Sequence, residues 1–275
     1  MRTIRTILTI FCFLPLVAAA NDSTSTAYRD RVLHTLWYSH SERLYRFVDI
    51  YVPECCEVNA DDSLPALLLL PGMGGYEGSW AEMADACDTL EALIATGRCR
   101  PTLLVMPDCG PWPIKGRPSY HNRTLWPCML RYPSLIHEHR VEYALSDLID
   151  MVDSTYCVSS YTVAGLSDGA RQAINLGNTR PDCIRRVAVF SPVWHRFQQP
   201  ADTTQQYYVY AGERDYFYPY GKRMKRYLEK TGQPFEWVVF NEKHTWTMWR
   251  QCLSHFLETA FSNMSMSPLA EAEIS

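Results

Sequence analysis

The sequence predicts an α/β fold with a mostly parallel central sheet covered by helices on both faces. Three observations carry that reading. Short, continuous apolar runs recur, such as Leu64 to Leu70 and Thr102 to Met106. A strand buried on both faces needs apolar side chains on both. Amphipathic helical stretches alternate with these runs, Glu138 to Tyr156 being the clearest, and that alternation is the pattern of a parallel sheet. Between one strand and one helix lies Gly165-Leu166-Ser167-Asp168-Gly169, whose glycines let strand and helix approach closely.

The elements follow in order. Residues 1–20 read as a signal peptide outside the fold: Arg2 and Arg5 precede an apolar run from Ile7 to Val17, and Ala18-Ala19-Ala20 offers a cleavage site. The run is short for a membrane span, and no later run reaches that length. Residues 21–30 are a polar, flexible leader, 31–262 one domain, and 263–275 a frayed tail. Leu44 to Pro53 alternates as a strand at an antiparallel edge, stopped by proline. Leu64 to Leu70 is a buried strand that opens into Pro71-Gly72-Met73-Gly74-Gly75. Ser79 to Thr96 is one helix with Met83, Ala84, Leu90, Leu93 and Ile94 inward. Thr102 to Met106 is the next strand. Residues 109–137 hold five prolines and no clear period, as a functional or disordered segment does. Glu138 to Tyr156 is a helix on Val141, Leu145, Leu148, Ile149 and Val152. Tyr161 to Ala164 is a strand and Asp168 to Gly177 a helix. Strands at Arg186 to Phe190, Tyr207 to Ala211 and Phe235 to Phe240 follow. Helices at Gly221 to Lys230 and Thr245 to Phe261 complete the set.

The 275 residues carry 26 Lys and Arg against 30 Asp and Glu. Without residues 1–20 the balance is 24 basic to 30 acidic groups, a net charge of −6 with His neutral. Such a surface does not draw nucleic acid or anionic lipid. The exported chain keeps nine of its ten cysteines, and an oxidising compartment predicts disulfides among them. The odd count leaves at least one thiol or an intermolecular bond. No C-x-x-C spacing points to a metal or redox site.

A serine between such glycines reads as a nucleophile on a sharp turn, or else as a helix N-cap. Serine needs an adjacent base, and this architecture takes its partners in chain order Ser, acid, His. Asp215 and His244 each follow a strand, where open α/β sheets place their sites. Glu213 and Asp182 compete for the acid role; His195 precedes Asp215 and reads as a surface or pocket residue. The oxyanion of a tetrahedral intermediate needs N–H donors. Asp168 supplies one, and Met73 or Gly74 in the glycine-rich loop the other, unless that loop is a plain turn. Trp112, Tyr120 and Trp246 are the candidates for substrate contact, with Trp126 near them; loop packing is the alternative for these rings.

Leu70 to Gly75, Arg100 to Asp108, Gly165 to Gly169 and His244-Thr245-Trp246-Thr247-Met248-Trp249 together resemble the putative esterase family. This is the esterase D-like group of α/β-hydrolases, with S-formylglutathione hydrolase, feruloyl and acetyl-xylan esterases and tributyrin-type esterases. The resemblance runs from about Tyr45 to Phe256. It implies a serine carboxylic-ester hydrolase without metal or organic cofactor, with Ser167, Asp215 and His244 as triad. Three departures stand out. Pro71 occupies a position where many relatives have His. Asp168 brings a carboxylate where many have Met. Residues 109–137 do not match closely.

The expectation is an exported esterase acting on a small-molecule or carbohydrate ester, with no nucleic-acid partner and no stable membrane insertion. An acyltransferase on the same fold and a non-catalytic binding protein remain open at this point. Transfer to an added sugar would separate the first, and failure of a serine-reactive probe would favour the second.

Overall fold

The computed structural model describes residues 31–56, 63–110, 141–193 and 204–262. Among the described residues eight strands form one sheet: β1 Val32–Ser39, β2 Leu44–Tyr51, β3 Leu64–Leu70, β4 Leu103–Pro107, β5 Val158–Leu166, β6 Ile184–Phe190, β7 Gln206–Gly212 and β8 Phe235–Phe240. Their order is β1-β2-β4-β3-β5-β6-β7-β8. Only β2 runs against the others, antiparallel to both β1 and β4. The six helices among the described residues are α1 Ser79–Ala84, α2 Ala86–Ala95, α3 Val141–Thr155, α4 Asp168–Thr179, α5 Tyr218–Thr231 and α6 Trp246–Ala260.

The apolar runs explain the layering. Along β3, Ala66, Leu68 and Leu70 face one core, which α3, α4 and α5 cover. Leu67 and Leu69 face the other, which α1, α2 and α6 cover. All five residues expected on the inner face of α3 are buried. The chain passes from β4 across β3 to β5 and then continues away through β8. The reversal falls between β3 and β5, and sheets of this kind bind ligands at the carboxyl ends of the strands on either side of such a point.

Two expectations need correction. The sheet's edge on this side is β1, which the sequence reading does not assign, and β2 is its antiparallel neighbour. The helix expected over 79–96 is two helices. Asp85 breaks it with a left-handed backbone at φ 49°, and its carboxylate binds Arg250 of α6 at 2.7 Å. The break turns Met83 outward, 45% exposed, while Ala84, Leu90 and Leu93 stay buried.

Disulfides are likewise not found among the described residues. Cys87, Cys99, Cys109 and Cys252 are buried and packed singly as small apolar side chains. Burial pushes the Cys99 thiol up to about 12, far from the thiolate that oxidation needs. Cys55 and Cys56 are chain neighbours with sulfurs 3.8 Å apart, in hydrogen-bond contact and well beyond the length of a disulfide. Among the described residues no helix is long and apolar enough to cross a membrane. The expected signal peptide, leader and tail, most of the 109–137 segment with Trp112, Tyr120 and Trp126, and Cys128 and His195 lie outside the described residues.

Candidate active site

The turn after β5 is built by close packing. A Cβ on Gly165 would lie 2.1 Å from the Gly169 carbonyl oxygen, and one on Gly169 would lie 2.4 Å from that of Pro71. No side chain fits at either place, so β5, α4 and the β3 loop meet backbone to backbone. Ser167 stands between them at φ 52°, ψ −116°, a sparsely populated conformation for a residue with a side chain. Its N–H bonds the Phe190 carbonyl at 2.9 Å. Its hydroxyl does not cap α4, which removes the N-cap reading.

That hydroxyl meets His244 instead. Ser167 Oγ and His244 Nε2 are 3.1 Å apart, and His244 Nδ1 lies 2.8 Å from Asp215 Oδ2. Asp215 follows β7 and His244 follows β8, so the ends of β5, β7 and β8 deliver three side chains to one point. Asp215 is buried, with a side chain 1% exposed. Burial alone would raise its pKa. Hydrogen bonds from His244, the Phe217 N–H and Ser191 outweigh burial and hold the carboxyl below its ordinary value. The Phe217 N–H donates to Oδ1 at 2.8 Å, so both carboxylate oxygens are oriented. The His244 ring is walled by Trp249 and Phe217, each with ring centroid 4.9 Å away, and by Tyr216 at 5.3 Å. The arrangement suits proton transfer from Ser167 Oγ to Nε2, with the other ring nitrogen held by an ionised acid.

The competing acids stand apart. Glu213 is exposed, and Asp182 sits on the surface, where the Arg180 guanidinium 3.1 Å away holds its carboxyl below the ordinary value.

The oxyanion candidates flank Ser167. Gly72 to Gly75 closes a turn, with the Gly75 N–H on the Gly72 carbonyl at 3.0 Å and Gly74 at φ 77°, the position that requires glycine. The Gly72 backbone is so close that a Cβ there would lie 3.3 Å from Ser167 Cβ. Met73, 41% exposed, therefore begins beside the serine. Asp168 is the first residue of α4, whose opening N–H groups have no intrahelical acceptor. Its carboxylate is neutralised: Arg171 Nε donates at 2.9 Å and Gln172 Nε2 at 2.9 Å. The negative charge in this position is thus paired away from the serine. The Arg171 partner at i+3 is readable in the sequence, since such spacing brings two side chains together on a helix.

Trp246 does not stand free as a substrate contact. Its ring lies edge-on between Trp80 and Trp249, centroids 5.6 and 5.1 Å away, packed against the core. The sequence reading misses Phe217, Ser191, Trp249 and Tyr216. Only their closeness to Asp215, to a strand end or to His244 in the chain signals them. Among the described residues no cluster of His, Cys, Asp or Glu has the arrangement of a metal site.

The fold and this site can be set beside known proteins. A ferulic acid esterase structure superposes with TM-score 0.66 at 18% identity, over 84% of this chain and 97% of that one. A ferulic acid esterase from Anaeromyces mucronatus, in complex with ferulic acid, gives 0.63 at 19%, over 84% and 90%. S-formylglutathione hydrolase from Staphylococcus aureus gives 0.60 at 13%, over 82% and 94%. The shared architecture is the α/β-hydrolase fold. No curated relative matches the chain. The family model described as "Putative esterase" matches residues 45–259, which span β2 to α6 and hold Ser167, Asp215 and His244, and the chain belongs to that family.

Proposed function

We propose that the protein is an exported serine carboxylesterase that works through Ser167, His244 and Asp215. Ser167 Oγ attacks the ester carbonyl carbon while His244 Nε2 takes its proton. Asp215 stays ionised and holds the Nδ1–H, which fixes the tautomer and stabilises the imidazolium. The oxyanion accepts hydrogen bonds from the Asp168 N–H and a main-chain N–H of Met73 or Gly74. The intermediate collapses, the alcohol leaves with the proton from His244, and an acyl-serine remains. Water, deprotonated by His244, attacks the acyl carbon; the second intermediate collapses as His244 returns that proton to Ser167 Oγ, and the acid departs.

The observation that carries this reading is the pair of contacts at 3.1 and 2.8 Å on a serine at φ 52°. Export rests on the features of residues 1–20. A leaning toward acyl groups on carbohydrate draws support from the ferulic acid esterases among the similar structures and from the exposed aromatic rim at Tyr216.

The test is an activity screen of the chain from residue 21 on short and long p-nitrophenyl esters, acetylated xylan and methyl ferulate, with Ser167→Ala as control. Hydrolysis that the control lacks supports the reading. Hydrolysis that the control retains removes Ser167 from its role, and transfer to an added sugar in place of water makes the protein an acyltransferase.

A further inference from the structure

Ser191 is the sheet's counterpart of Ser167. Leu166 and Phe190 are register partners on β5 and β6. One residue further along each strand, Ser167 and Ser191 both adopt φ 52°. Ser191 is 2% exposed, and its N–H bonds the Tyr210 carbonyl at 2.9 Å. Glycine would adopt this backbone without strain. A serine here therefore points to a use for the hydroxyl.

The contacts of that hydroxyl define the use. Trp249 Nε1 donates to Ser191 Oγ at 3.1 Å. An indole N–H can only donate, so the Ser191 oxygen is the acceptor and its own proton is left for a second partner. The Met248 sulfur, 3.4 Å away, accepts it in this geometry, and Ser191 also stands among the hydrogen-bond donors that lower the Asp215 carboxyl. A carboxylate is much the stronger acceptor of the two. Trp249 also sets its ring perpendicular to that of His244, 4.9 Å between centroids at 89°. One buried indole thus reaches His244 by its ring and Asp215 by way of Ser191.

We propose that Trp249 and Ser191 are positioning residues that lock the Asp215–His244 pair in line with Ser167, an inference that rests on reading these three residues as the triad. Neither touches the reacting atoms. Trp249 holds the Ser191 oxygen, Ser191 directs its O–H to the carboxylate, and the indole ring limits the tilt of the imidazole. The Phe217 N–H supplies the remaining anchor on Asp215.

The test uses a fluorophosphonate probe, which needs only an activated serine and no knowledge of the natural ester. The second-order labelling rate, the melting temperature and the proton resonance of His244 Nδ1–H are measured for wild type, Ser191→Gly, Trp249→Phe and Ser167→Ala. Ser191→Gly should melt at or above the wild-type temperature, because glycine relieves the strained φ. Its labelling should nevertheless slow about tenfold, the scale of a lost hydrogen bond to a charged group. Trp249→Phe keeps a ring against His244 but loses the N–H, and should slow labelling in the same sense. The Nδ1–H resonance should shift or broaden in both, as the carboxylate loses an anchor. Ser191→Gly that labels at the wild-type rate with an unchanged resonance overturns the proposal. So does a loss of labelling that tracks a fall in melting temperature while the resonance stays in place. Failure of the triad reading looks different: wild type is not labelled, or Ser167→Ala is labelled equally fast, and the proposal falls with it.

Discussion

Replacing Glu77 by Gln should stabilise the protein in proportion to pH. Glu77 lies between the Gly72–Gly75 turn and α1, 3% exposed, and its Oε2 has no hydrogen-bond partner. Burial is the main cause that lifts its carboxyl to about 7, from an ordinary 4.5. Its own N–H opposes the rise, the Asp108 and Asp49 carboxylates add to it, and His34 works against it. His34 Nδ1 is 4.0 Å from Glu77 but 2.6 Å from Asp49, so most of its pull goes to the other acid. In the unfolded chain the group ionises near 4.5; in the folded chain it holds its proton to about 7. The stability that the neutral carboxyl contributes is complete below about pH 4.5, drains away as pH rises toward 7, and is gone above it. At about 1.4 kcal/mol per pH unit the loss reaches roughly 3 kcal/mol, as an upper figure. Gln has the same shape and does not ionise. Urea unfolding at about pH 4.5, 5.5, 6.5 and 7.5 reads the difference directly. The variant should match wild type at about pH 4.5 and lead it by about 1–3 kcal/mol at about pH 7.5. A difference that does not change with pH, or a variant less stable at the alkaline end, refutes the argument.

Four further outcomes follow from the site. Ser167→Ala should lower kcat/KM for any hydrolysed ester by at least about 10⁴-fold with an unchanged circular dichroism spectrum, since triad members act as a unit. Asp215→Asn should lower kcat by about 10⁴-fold through the wrong His244 tautomer. Because the Asp215 carboxyl is held below 3.8, its contribution to stability is present above that pH and is lost as pH falls through the folded value. The Asn variant should therefore show a shallower loss of stability below about pH 4, measured by acid unfolding. Gly169→Ala places a Cβ 2.4 and 2.5 Å from two backbone oxygens, Pro71 and Leu70, and should cost about 2–3 kcal/mol in urea unfolding along with most of the activity. Tyr216, 71% exposed beside His244, should contribute to binding a bulky acyl or alcohol group. Tyr216→Ala should reduce kcat/KM for methyl ferulate about tenfold and leave p-nitrophenyl acetate nearly unchanged; equal losses on both would make the ring a packing residue.

The parallel strands are legible because both of their faces are buried: β3 and β4 have apolar residues at nearly every position, and no other local structure accounts for so short and uniform a run. The edge strand is not. In β1 burial alternates from Thr35 to Ser39, but the outward positions carry Leu36 and Tyr38 and the inward ones Thr35 and Ser39 beside Trp37, so the apolar–polar alternation that marks a half-buried strand is missing from the sequence. The break at Asp85 is hidden for a different reason. Ala84-Asp85-Ala86 carries no glycine or proline, and the ion pair with Arg250 that accompanies the left-handed turn comes from a helix far along the chain.

The same division runs through the site. Ser167, Asp215 and His244 can be picked out because each follows a strand in a mostly parallel sheet, and parallel strands end together. That rule assigns positions, not roles. Ser191 also directly follows a strand, at the register level of Ser167 and with the same φ, yet its sequence context contains no glycine pair that would flag it. What distinguishes the two serines is the side chain each meets: an imidazole for Ser167, and for Ser191 an indole N–H that takes its oxygen. Those partners arrive from the loop after β8 and from α6, so the distinction exists only once the sheet has closed against that helix. Local pattern can therefore locate the strand ends where chemistry is possible. Deciding which serine faces the histidine and which supports the acid requires the long-range packing of α6.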